Sequence, residues 1–221
     1  MSIIDKIVQL DFPTDQYVRK EYPKSQIVLH HTVSGGSAKA VAAFWAGKAQ
    51  RIATCIIIDK AGIPYQLFSS KYWGGHVGGR RSMAKSFEKY NLEYRDCSTT
   101  SIGVEIISWG GLQMIDGKLH NCYGGEYKEE GVKPTYFEEA YRGYNYFDTY
   151  TAKQIETLKE LLLYWGERYN IPLDYNEDMW DVSKNALENK PGIWSHTSFR
   201  FDKSDLFPQK EMIDMLKSLK K

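Results

Sequence analysis

Residues 27–36 read IVLHHTVSGG, a β-branched apolar run that ends on two histidines, a threonine and a pair of glycines. A run of this kind is a buried strand, and the glycines reverse the chain as soon as the imidazoles have been delivered. Alternation along a strand then sets a limit. Ile27, Leu29 and His31 share one face, and Val28, His30 and Thr32 share the other, so the two histidines point in opposite directions. Only one of them can serve a given site. Both faces are otherwise apolar, so alternation leaves the choice open.

The rest of the chain supplies partners for that strand. Ser37 is placed to N-cap an alanine-rich helix running to about Gln50. TCIIIDKAGIPYQLF reads as two strands around a tight Lys-Ala-Gly turn, and SIGVEIIS (101–108) as a further strand with Gly103, Glu105 and Ile107 on one face. LQMIDGKLHNCY is a second hairpin turning at Asp116-Gly117. TAKQIETLKELLLYWGERY is the clearest helix, with Thr151 and Gln154 as a capping box and Ile155, Leu158, Leu162 and Trp165 at helical spacing. GIWSH is a short strand, and an amphipathic helix with Pro208 near its first turn follows. The expected fold class is therefore α/β of mixed α+β character, a central mixed β-sheet flanked by helices. One domain spanning 1–221 is expected, with an insertion at about 110–150 that carries seven tyrosines and reads as mostly loop with one hairpin, and with no separate binding module.

Composition narrows the partners. A net charge of +1 removes a broad electrostatic case for nucleic acid or anionic lipid. No apolar run approaches the roughly 20 residues of a membrane span, and the first residues lack the basic and apolar regions of a secretory signal. Three cysteines, Cys55, Cys97 and Cys122, argue against a disulfide scaffold and suit synthesis in the cytoplasm. A monomer is expected.

Chemistry is concentrated where strands end. His30 and His31 close one strand, His196 closes another (IWSH), and DKSDLFP, with Asp202, Lys203 and Asp205, begins shortly after it. Two imidazoles and a carboxylate with a fourth position open form the ligand set of a catalytic zinc site. His120 and Cys122 lie two apart on a hairpin arm, and with no further ligands nearby they read as ordinary hairpin positions.

Taken in order, IVLHHTVS, ATCIIIDKAGIPYQLF, WGGHVG, SIGVEI and IWSH…DKSD resemble the zinc-dependent N-acetylmuramoyl-L-alanine amidases. That family includes phage endolysins, bacterial recycling amidases and animal peptidoglycan recognition proteins. The resemblance runs from about residue 26 to 208, interrupted by the 110–150 segment. It implies Zn2+ held by His30, His196 and Asp205, with Lys203 stabilising the developing oxyanion. Members that use a tyrosine base carry it where this chain has Thr54, which cannot act so. Members of the recycling type use a glutamate in the SIGVE strand, which is Glu105 here. A carboxylate in an apolar strand is costly unless paired or functional, and beside Gly103 there is room above it. Glu105 is the expected base, taking a proton from the attacking water and passing it to the leaving amine. His76, and Trp73 beside it, correspond to a loop near the substrate cleft and are assigned to substrate binding. His31 is left as a supporting or core residue.

The resemblance thus implies hydrolysis of the amide between N-acetylmuramic acid and L-alanine in peptidoglycan, with a phage endolysin, released to the wall after cytoplasmic synthesis, as the best biological fit. A cytoplasmic muropeptide-recycling amidase and a non-catalytic recognition protein are the alternatives. The latter typically lacks a ligand, and all three are kept here.

Overall fold

A computed structural model describes residues 2–128 and 131–219. In chain order the elements are α1 (Ile3–Lys6), β1 (Val8–Gln9), β2 (Gln26–His31), α2 (Ala38–Ala46), β3 (Ile56–Ile58), β4 (Pro64–Gln66), α3 (Arg80–Lys89), β5 (Ser101–Ile106), β6 (Gly111–Ile115), β7 (Lys118–His120), β8 (Thr135–Tyr141), β9 (Tyr144–Phe147), α4 (Ala152–Tyr169), α5 (Lys184–Leu187), β10 (Gly192–Ser195) and α6 (Lys210–Lys217). The main sheet has the order β1-β4-β3-β5-β2-β10. Strands β3, β5, β2 and β10 run parallel, and β4 turns back antiparallel on β3 through the expected hairpin. Every residue of β2 is buried, as its unbroken apolar run requires of a strand covered on both faces.

Helix α4 begins as the sequence dictates. The Thr151 hydroxyl accepts from Gln154 N and the Gln154 side chain accepts from Thr151 N, while the same amide donates to Ile107 O at the end of β5. One glutamine therefore caps the helix and ties it to the sheet. Ile155, Leu158, Leu161, Leu162 and Trp165 bury the inner stripe; truncating a leucine there to alanine costs about 2–5 kcal/mol.

Three expectations about element limits are corrected. Helix α2 stops at Ala46 rather than near Gln50, because Gly47 follows and the chain tightens into a Lys48 N to Trp45 O turn. Pro208 lies one residue before the N-cap of α6, which is Gln209. The Gln209 side chain is taken up elsewhere, its oxygen accepting from Tyr150 N and its amide donating to Tyr150 O. The 110–150 segment is not mostly loop. Two hairpins, β6/β7 and β8/β9, join through β6 and β9 into a four-stranded antiparallel sheet ordered β7-β6-β9-β8. Asp116-Gly117 turns the first, both at positive φ, and Arg142-Gly143 turns the second in the same conformation. Tyrosine favours strands, and Tyr136 lies against Tyr146 across the second hairpin, ring centroids 5.0 Å apart.

This small sheet is fastened to the main one at two places. Buried Asp148 accepts from Trp109 N (2.8 Å), from the Tyr127 hydroxyl (2.9 Å) and from Lys60 (2.8 Å). Phe147 stacks on Phe207 with centroids 4.4 Å apart, and Phe207 stacks in turn on Tyr150. No helix among the described residues is long and apolar enough to cross a membrane.

Candidate metal centre and active site

The parallel ladder places His30 opposite Glu105, and Glu105 opposite Ile57. Residues paired in register on neighbouring strands project from the same face, so ligand candidate and base candidate stand side by side. On the other flank Ser195 is registered with Leu29, and His196 follows as the first residue of a 3-10 turn. Imidazoles thus emerge at the carboxyl ends of two adjacent parallel strands, where open α/β sheets place their sites. Asp205 comes from the loop after that turn, its carbonyl accepting from Thr197 N at 2.9 Å.

The three side chains converge. His30 Nδ1 lies 3.0 Å from His196 Nδ1 and 3.2 Å from Asp205 Oδ2, and His196 Nδ1 lies 2.9 Å from the same oxygen. All three residues are buried. His196 Nε2–H donates to the Val77 carbonyl at 3.0 Å, which fixes its lone pair on Nδ1, facing the other two. His30 Nε2 is engaged by His76 Nδ1 at 2.9 Å, so Nδ1 is again the free nitrogen. Burial, and then the neighbouring His196, hold His30 down to about pKa 4, so its imidazole is neutral. Asp205 is held ionised well below the usual carboxylate range. Burial opposes this, but charge and hydrogen bonding from His196 and His30 prevail. Three acceptor atoms meeting in a dry corner call for a cation. Tetrahedral Zn2+ with bonds of about 2.0–2.2 Å would hold its ligands about 3.3–3.6 Å apart, a few tenths of an ångström wider than the 2.9–3.2 Å found. This is the one group of its kind among the described residues. The donor set of two imidazoles and one carboxylate leaves a coordination position for water and substrate.

Glu105 stands beside this triangle. Its Oε2 is out of contact with solvent and has no hydrogen-bond partner. Burial, reinforced by the Asp205 carboxylate and opposed by Lys203, pushes its pKa well above the usual carboxylate range. A strand carboxylate left without a structural partner is available to move a proton. Lys203 is half-buried, two residues from Asp205 on the same loop, and its ammonium makes no ion pair with any described residue. Asp202 is turned away instead, bonded twice to Arg200.

The remaining histidines separate as follows. His31 lies on the opposite face, Nδ1 bonded to the Tyr150 hydroxyl at 2.8 Å, so it is a core residue. Gly110 is required there: a Cβ would come within 2.3 Å of His31 Nε2, and its φ is +69°. His76 sits against His30, and the room above Gly103 is filled by its ring. A Cβ on Gly103 would lie 2.8 Å from both His76 Cγ and Thr54 Cγ2. Thr54 gives its hydroxyl to Ile56 O and packs. Trp73 is edge-on to Tyr22 at 6.3 Å, with its backbone bridging Val18. His120 bonds Gly124 O, and Cys122 is exposed. Cys55 and Cys97 are free and buried, their thiols pushed up to about 12 by burial.

Sequence reasoning missed the brace on the ligand loop. The Tyr141 hydroxyl, beside the tip of the β8/β9 hairpin, reaches Leu206 O (3.2 Å), Thr197 Oγ1 (3.3 Å) and Trp180 O (3.0 Å). It thereby spans the segments on either side of Asp205. Only the neighbouring Arg-Gly turn hinted at a hairpin there.

A buried His-His-Asp triangle that could hold a metal ion stands beside an unpaired glutamate on a mixed sheet. The sequence matches the family described as N-acetylmuramoyl-L-alanine amidase over residues 20–208, and the chain belongs to that family. It is accordingly an amidase acting on the peptidoglycan amide bond. Solved structures share the fold at low identity: PlyL (TM-score 0.53, 14% identity, 97% of each chain covered); the catalytic domain of XlyA (0.52, 15%, 96% of this chain and 97% of that one); and a mutant endolysin from Bacillus subtilis (0.52, 17%, 96% of each). No curated protein matches the sequence.

Proposed function

We propose that the protein is a zinc amidase that separates the lactyl group of N-acetylmuramic acid from L-alanine, with His30, His196 and Asp205 holding the metal. When bound, zinc acidifies a water and polarises the scissile carbonyl. The chain's own residues do the rest. Glu105, desolvated and unpaired, accepts the proton of the attacking water and delivers it to the departing alanine nitrogen. Lys203 brings an uncommitted ammonium toward the oxygen on which negative charge develops. The observation that carries this reading is the meeting of His30 Nδ1, His196 Nδ1 and Asp205 Oδ2 within 3.2 Å of one another.

The biological setting that fits best is a phage endolysin acting on the intact wall after release. The likeness in fold to an endolysin supports this, as does the added tyrosine-rich sheet, which suits an extended polymer better than a soluble fragment. The test is digestion of purified sacculi followed by mass spectrometry. Stem peptides with a free L-alanine amino terminus are expected. Release of reducing sugars without such peptides would refute amidase action, and turnover of soluble muropeptides alone would favour the recycling role.

A further inference from the structure

We propose that the dipeptide His76-Val77 orients both histidine ligands, His30 through a one-directional hydrogen-bond relay in which protons are donated from His30 through His76 and Ser101 to Cys97 O, and His196 through the Val77 carbonyl. This rests on the metal reading above and assigns His76 a positioning role in place of substrate contact.

The direction of the relay follows from counting protons. The Ser101 hydroxyl has one proton and gives it to the Cys97 carbonyl at 2.7 Å. Its oxygen, 3.0 Å from His76 Nε2, must therefore accept, which puts the His76 proton on Nε2. His76 Nδ1 is then a lone pair, and at 2.9 Å it accepts from His30 Nε2–H. His30 Nδ1 is left unprotonated and aimed at His196 and Asp205. The reverse direction would need Ser101 to donate to His76, leaving the Cys97 carbonyl without that partner and protonating His30 on the nitrogen meant for the metal.

The same dipeptide serves the second ligand, because the Val77 carbonyl accepts from His196 Nε2–H. Its placement is over-determined. Ser98 Oγ accepts from both His76 N (3.2 Å) and Val77 N (3.3 Å), and the His76 ring stands at 84° to that of His30 over Gly103, where no Cβ intervenes. Partners of this kind behind a ligating imidazole fix its tautomer and commonly change metal affinity about 10–100-fold when removed.

The experiment measures zinc affinity by competition with a chromophoric chelator, alongside amidase turnover. His76→Phe keeps a ring of similar size but cannot accept from His30, and should weaken zinc binding about 10–100-fold. His76→Asn, whose side-chain oxygen stands near the position of Nδ1, should recover most of that loss. Zinc affinity of His76→Phe within about threefold of the unaltered protein would overturn the proposal, as would an asparagine variant no better than phenylalanine. Nitrogen-15 NMR of the unaltered, zinc-loaded protein tests the relay without a variant: His76 protonated on Nε2 is expected, and protonation on Nδ1 overturns it. Failure of the unaltered protein to bind zinc would sink the metal reading and this inference together. Normal zinc behaviour with no peptidoglycan cleavage would sink the functional reading alone.

Discussion

His30 and Glu105 face each other across the β2/β5 ladder, joined in register by the backbone itself. The distance between the proposed metal ligand and the proposed proton acceptor is therefore set by strand spacing, about 4.8 Å between neighbouring chains, and not by loop geometry. Asp205 and Lys203 ride on a loop and depend on its fastenings.

Glu105→Gln separates the chemical role of this residue from its cost to the fold. Amidase turnover should fall about 10²–10⁴-fold while zinc stays bound; unchanged turnover would end the role. Stability should move the other way. The folded-state pKa of Glu105 is raised above the ordinary 4.5, so the folded protein holds this proton more tightly than the unfolded chain does. Stability is then lost as pH rises through the window from 4.5 to the raised value. The glutamine variant should consequently melt higher than the parent at neutral pH in chelator, with the gap closing below pH 4.5.

The two histidines of β2 should part company on substitution. His30→Ala should abolish stoichiometric zinc, as measured by metal analysis. His31→Ala should keep zinc and activity near normal but lose about 1–3 kcal/mol in denaturant unfolding, because the buried Tyr150 hydroxyl loses its partner. Zinc lost from the second variant and kept by the first would mean that the other face of the strand carries the site.

Tyr141→Phe removes only a hydroxyl, yet that hydroxyl spans the turn after His196 and the residue after Asp205. A loss of about 1–2 kcal/mol in stability is expected, together with faster zinc release in stopped-flow chelation. An unchanged release rate would mean the Asp205 loop holds itself.

If the proposed site holds zinc, removing the metal should lower the melting temperature, since the ion would bind the folded state and the unfolded chain lacks a preformed site. Calorimetry with and without chelator checks this. Adding zinc back should restore both the transition and the activity.

Much of this arrangement was legible in the sequence where local rules dominate. The Thr151-Gln154 capping box, the Asp116-Gly117 turn and the Ile27–His31 alternation are statements about neighbours along the chain, and the structure contains each. What escaped was tertiary. Helix α3 lies in a polar stretch, RRSMAKSFEKY, with few apolar positions to reveal its period, and Gly79 offers no capping side chain. Strands β8 and β9 were hidden because Arg142-Gly143 is a weak turn signature. The partnership of His76 with His30 arises from packing over Gly103, and nothing in the spacing of the two histidines announces it.

The position of β10 has a consequence in time. The strand that carries His196 pairs with β2 at the edge of the sheet, so the site joins residues 166 apart in sequence. Contacts this distant form late, after the entropy of closing a long loop has been met. During synthesis His30, His76 and Glu105 leave the ribosome before His196 and Asp205, so the proposed ligand set can be completed only when the last strand docks.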